Sequence, residues 1–211
     1  MTRRLLAAIA ICVAIWIGID LSRSAGDPKQ FDGASVGRLE GRMWRSYYDR
    51  DRLALFLLLA RNLREQFHLP FWQSHVASYY AARAAFVFKQ GKQRPDYEQA
   101  LPILESYYRW VLPGRDPAPL AKVELEWWII HRERTQYPPG SLQRTLVDLA
   151  AAVYGAPREV LAEHAELRTQ AMILCDEKMA QGVVSEADWQ RIEELLVQSW
   201  SSLHRALAAP A

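Results

Sequence analysis

The hydrophobic pattern begins with an unbroken block. Leu5 to Ile19 contains only Leu, Ala, Ile, Cys, Val, Trp and Gly, and Arg3 and Arg4 stand before it. Beyond a polar stretch, apolar positions recur every three or four residues, the period of a helix with one buried face. From Val36 through Leu39, Met43, Tyr47, Leu53, Leu57, Ala60 and Leu63 to Phe67, this spacing predicts one long helix. Ser35 is its expected N-cap and Pro70 its stop, with a single break near Arg50.

Further helices are predicted from Phe71 to Gln90, with Gly91 as the stop, and from Asp96 to about Leu112, where Pro102 marks a kink or a later start. Others run from about Leu120 to Arg134, from Ser141 to Tyr154, and from Pro157 to about Gln181. Ser185 and Asp188 form a capping-box pattern before a last helix whose stripe holds Trp189, Ile192, Leu196, Trp200, Leu203 and Leu207. No segment alternates with period two. The expected fold is all-α: a membrane-spanning helix (1–21), a polar linker (22–34), and a globular domain (35–211) of about seven antiparallel helices, as a bundle or hairpin array.

The apolar block decides the compartment. Leu5 to Leu21 spans about 25 Å as a helix, short against a hydrocarbon core of about 30 Å. It reads as an uncleaved signal-anchor, with two alternatives: a signal peptide cleaved near Ser24 or Gly26, or a buried helix of a soluble protein. Trp16 and Asp20 are awkward inside a cleavable leader. Arg3, Arg4 and the terminal amine favour a cytoplasmic N-terminus and an extracytoplasmic domain.

Net charge is +2, with basic and acidic residues mixed along the chain. That pattern excludes a dedicated nucleic-acid surface, which needs a clustered basic stripe. With Cys12 in the leader and Cys175 in a helix, the domain rests on its core and not on disulfides, and Cys175 reads as a small buried apolar residue.

The candidate chemistry is sparse. Glu124, Trp127 and His131 fall on one helix face, a carboxylate–imidazole pairing able to bind metal or move a proton. Trp128 and Arg132, four apart, suggest a cation–π pair. With His164 and Glu40, the residues Glu124 and His131 are the candidate metal ligands; the bland reading is a tryptophan pair with a satisfied histidine beside it. No catalytic residue stands out, and no cofactor-binding motif is evident.

Ser-Tyr-Tyr occurs three times, placing Tyr47, Tyr79 and Tyr107 at related positions. These tyrosines, with Trp127, Trp128 and Arg132, are the candidates for an interaction surface or a cavity wall. The stretch from Tyr80 to Pro113 resembles one tetratricopeptide hairpin. Tyr80, Ala84 and Val87 would lie on its first helix, Gly91 at the turn, and Asp96 to Ala100 at the start of the second. It departs from that pattern at Arg83, at Tyr107 and in four extra residues, Lys92 to Pro95, and no other segment repeats it.

The leading expectation is a non-catalytic interaction or assembly factor, tethered through residues 5–21 and bound to a protein partner. The alternatives are a metal-dependent enzyme with a buried Glu/His site and a binding module for an apolar ligand in a Trp-lined cavity.

Overall fold

The apolar block forms α1 (Thr2–Ser22) in a computed structural model that describes residues 2–182 and 184–209. Arg3–Ser22 is long and apolar enough to cross a membrane, with a mean hydropathy of 2.3, and 6% of it is buried. Leu5, Leu6, Ile9, Ile15 and Ile19 all stand exposed. The helix meets the rest of the chain at its C-terminal end, where Trp16 packs on Phe71 and Trp72 and Asp20 is buried.

Residues 22–34 run along the domain. Phe31 is buried against Tyr154 and Trp200, and the His68 ring hydrogen-bonds the Gln30 carbonyl. The next helix starts earlier than Ser35. Asp32 caps α2 (Gly33–Tyr48) by accepting from the Ala34 N–H at 2.9 Å, while the Ser35 hydroxyl donates to Glu65. Asp is a strong N-cap, and its charge suits the positive end of the helix.

The run predicted as one helix to Phe67 is two. Arg50 takes a left-handed conformation (φ 61°), and Asp51 then caps α3 (Arg52–Phe67) through the Ala54 N–H at 3.0 Å. The described residues beyond α1 therefore hold eight helices of eleven residues or more, not seven.

The remaining order is α4 (Phe71–Gln90), short α5 (Arg94–Tyr97) with a 3₁₀ turn, and α6 (Leu101–Val111). Pro102 sits in the first turn of α6, where a missing N–H costs nothing. α7 (Pro117–Arg132), α8 (Ser141–Tyr154), α9 (Ala162–Ala180) and α10 (Glu186–Ala208) complete the chain. The Ser185–Asp188 capping box of α10 is formed on both sides. Between Tyr80 and Pro113, α4 packs on α6 with α5 interposed.

Helix α2 lies closest against α10, and Gly33, Gly37 and Gly41 face it. A Cβ at Gly37 would stand 2.5 Å from the Val197 Cα, so two backbones meet where no side chain intervenes. This contact sets Glu40 of α2 beside Trp200 of α10. The main core runs from Phe31 and Leu63 through Leu104 and Ile129 to Leu203.

Candidate ligand-binding cavity

One face of α7 points into the middle of the domain. Glu124, Trp127, Trp128 and His131 all line a cavity of about 750 Å³. Helices α2, α3, α4, α6, α8, α9 and α10 supply the rest of the wall, including Trp44, Tyr107 and Trp200. At one end its lining residues Tyr47, Ala85 and Lys89 are exposed, and the Lys89 ammonium lies 5.7 Å from the Tyr47 ring.

Glu124 sits deep in this wall. Its carboxylate accepts from the Tyr108 hydroxyl at 2.8 Å and from the Trp128 Nε1 at 2.9 Å. The surface it retains faces the cavity, and burial raises its pKa above the usual carboxylate value despite those donors and nearby Arg168. Burial likewise pushes the hydroxyls of Tyr107, Tyr108 and Tyr154 upward, so all three stay neutral donors.

On the opposite wall Arg168 of α9 donates to Glu40 from Nε at 3.2 Å and from Nη2 at 2.6 Å. Trp200 Nε1 donates to the other Glu40 oxygen. The guanidinium lies 5.5 Å from the Trp127 ring and 5.7 Å from the Trp200 ring, two cation–π contacts. Burial works against its charge, but the Glu40 carboxylate outweighs burial and the Arg168 pKa is raised. The guanidinium therefore stays charged inside the protein.

The third polar group comes from α3 and α8. Asn62 Nδ2 donates to Gln66 Oε1 at 3.2 Å, and Gln66 Nε2 donates to the Tyr154 hydroxyl at 2.6 Å. Asn62 Oδ1 is buried on the cavity wall without a protein partner, and Trp127 Nε1, buried there too, is no more than weakly engaged by the Glu124 carboxylate.

The four candidate metal ligands, Glu40, Glu124, His131 and His164, all line this cavity, each already engaged. His131 Nε2 meets Asp176 at 3.0 Å, a carboxylate shared with Arg134 at 3.1 Å. His164 donates from Nδ1 to the Ser199 carbonyl at 3.1 Å, and the Ser199 hydroxyl donates back to the His164 carbonyl at 2.8 Å. Burial pushes the His164 pKa down to about 3, so the ring is neutral. Among the described residues no three His, Cys, Asp or Glu side chains are grouped to hold a metal ion.

Of the interaction candidates, Tyr47, Tyr107, Trp127, Trp128 and Arg132 line the cavity. Tyr79 does not; it lies on the outer face of α4, 55% exposed, against Tyr80. The expected Trp128–Arg132 stack is replaced. The Arg132 guanidinium lies 4.0 Å from the Phe88 ring and donates to the Phe88 carbonyl at 2.8 Å, an acceptor it shares with the capping Gly91 N–H. Buried Cys175 is an inert thiol, its pKa pushed up to about 11 by burial.

Sequence reading missed Arg168, Asn62 and Gln66. Arg168 had a signal: it stands four residues from both His164 and Met172, on the stripe that reads as buried. Comparison with known proteins returned no matching family model, no matching curated protein and no matching solved structure.

Proposed function

We propose that the protein is a membrane-tethered binding module that holds a small, largely aromatic ligand in its central cavity. The observation that carries this reading is the unpartnered Asn62 Oδ1, with the weakly engaged Trp127 Nε1, in an aromatic wall. A buried polar group without a partner costs about 1–3 kcal/mol. A ligand with one donor and one acceptor on a ring system would satisfy both. The cavity, about 750 Å³, falls in the range of small-molecule sites. This reading is preferred to a metal enzyme because Glu40 and Glu124 already accept from Arg168, Trp200, Tyr108 and Trp128.

The tether is α1, kept as an anchor with the domain extracytoplasmic. Its exposed apolar side chains and the Arg3–Arg4 pair support this topology. Asp20 belongs to both the apolar helix and the fold, which favours a retained anchor over cleavage near Ser24 or Gly26. A reporter fused after Ala211, with intact mass of the mature chain, tests both points.

The cavity is tested by calorimetric titration of the full chain in nanodiscs with 2-naphthol. The wild type is expected to bind it saturably, and Asn62→Leu and cavity-filling Ala81→Trp at least about tenfold more weakly. Non-saturable heat in the wild type, or equal binding by both variants, refutes the reading.

A second reading, an interaction or assembly factor, is favoured by one surface. Leu53, Tyr79 and Phe86 are exposed by 69%, 55% and 49%, and the Arg52 guanidinium lies 5.8 Å from the Phe86 ring. A photo-crosslinker at Tyr79 in native membranes tests it; recovery of the monomer alone counts against it.

A further inference from the structure

A second pocket, of about 650 Å³, opens between α2, α3 and the start of α4. Four arginines line it, Arg42, Arg45, Arg61 and Arg64, and one carboxylate, Asp49. Arg45 is bridged to Glu186 at 2.9 Å and Arg61 to Glu65 at 2.8 Å. Arg42 and Arg64 have no carboxylate partner among the described residues; Arg64 donates to the Ser74 hydroxyl at 3.1 Å. Burial, and then the neighbouring Arg61, lower the Arg64 pKa. Arg64 is thus crowded by Arg61 and has no carboxylate bridge of its own.

The pocket is tied to the anchor by one ring. Phe71 lines it, and the same ring stacks on Trp16 of α1 at 5.8 Å. Trp16 is five residues before Leu21, about 7.5 Å along the helix, so it lies near the end of the apolar span. Tryptophan settles at that depth, the membrane–water interface. The Arg64 guanidinium stands 5.5 Å from the Phe71 ring, one layer beyond Trp16. Leu57, on the pocket wall, and Leu53 before it are 50% and 69% exposed. An apolar wall of Phe71 and Leu57 with guanidiniums beside it has the composition of a bilayer surface.

We infer that this pocket binds the headgroup phosphate of an anionic phospholipid in the leaflet where α1 ends. The inference rests on α1 spanning the membrane and is independent of the central cavity. Guanidinium groups bind phosphate through paired N–H donors, and Arg42 and Arg64, both on the pocket wall, have no carboxylate bridge to compete with it. The lipid is favoured over free phosphate because Phe71, on the pocket wall beside Leu57, is the ring on which Trp16 of the anchor stacks.

The test uses the full chain in nanodiscs of phosphatidylcholine with one fifth phosphatidylglycerol, reading retained lipid by native mass spectrometry. The wild type is expected to retain phosphatidylglycerol selectively. Arg42→Gln is expected to lower that retention about fivefold and Arg42→Gln/Arg64→Gln about twenty-five-fold, at one charge contact each. Arg42 is exposed and unbridged, so its variant reads the site even if the Arg64 change disturbs the Ser74 contact. Equal retention of both lipids, or of phosphatidylglycerol by wild type and Arg42→Gln, overturns the inference. Displacement of phosphatidylglycerol by millimolar inorganic phosphate assigns the site to free phosphate and overturns it too. A chain that fails to co-float with the nanodiscs refutes the anchor itself; one that co-floats without lipid preference refutes only the pocket.

Discussion

The Trp72 backbone N–H donates to the Asp20 carboxylate at 2.6 Å, joining the end of α1 to the start of α4. The Phe71 N–H donates to the other Asp20 oxygen at 3.1 Å. In return Gln73 Nε2 donates to the Asp20 and Leu21 carbonyls at 3.1 and 3.2 Å. Two helix ends, each with free backbone groups, satisfy one another. Pro70, the residue before α4, offers no side-chain cap, so a residue fifty positions away supplies it.

Asp20→Ala removes both acceptors. The expected loss is about 1–2 kcal/mol of stability, the usual cost of an N-cap. Asp20→Asn, which keeps an acceptor, is expected to lose less than half of that. Thermal unfolding of the full chain in detergent checks the order. Limited proteolysis between Ser22 and Gln30 adds a local readout, with faster cleavage in the Ala variant. Equal stability of wild type and Asp20→Ala would show that the junction contributes nothing.

Gly37→Ala tests the α2–α10 contact. Alanine in a helix interior gains about 1 kcal/mol over glycine. The added Cβ, however, would meet the Val197 Cα at 2.5 Å, backbone that cannot rotate away. Overpacking of this kind costs about 1–3 kcal/mol. Net destabilisation is expected, whereas Gly18→Ala, inside α1 with open space around its Cα, should keep the helix gain. A more stable Gly37→Ala would refute the close approach.

The helical period made the fold class legible, and most helix ends followed from Gly, Pro and a capping residue. The errors were local competitions. Ser35 and Asp32 both suit an N-cap, and the carboxylate took the place while Ser35 turned to Glu65. The α2–α3 turn hid behind an apolar spacing that happened to continue across it. Gly33, Gly37 and Gly41 recur every four residues, a pattern that signals close helix packing and was readable beforehand. The cavity was legible only in part. Glu124, Trp127 and His131 share a face by spacing, but the partners of each come from helices far away in sequence. No periodicity carries that information.

His164 makes stability pH-dependent. Its ring is buried and neutral, with a pKa near 3 against about 6.5 in the unfolded chain. Below pH 6.5 the unfolded chain takes up a proton that the folded one does not. Its contribution is therefore fully present above pH 6.5 and is lost as pH falls toward 3, at about 1.4 kcal/mol per pH unit. Urea unfolding at pH 7.5, 6 and 5 is expected to show this slope in the wild type and a shallower one in His164→Asn. Parallel profiles would mean that His164 is protonated in the fold.

The Glu40–Arg168 pair has a stability cost that depends on which partner is removed. Arg168→Met leaves the Glu40 carboxylate buried with only Trp200 as donor, an uncompensated charge. Such losses run to about 3–5 kcal/mol. Changing both partners, as Glu40→Gln/Arg168→Met, removes the charge and keeps an acceptor for the Trp200 N–H, so most of that loss should be recovered. Arg168→Lys should not restore the wild type: an ammonium lacks the planar group that lies beside both Trp127 and Trp200. Denaturant unfolding followed by circular dichroism separates these cases. If Arg168→Met loses less than about 1 kcal/mol, the range of an exposed pair, then the ion pair is solvated and the wall it forms is open to water.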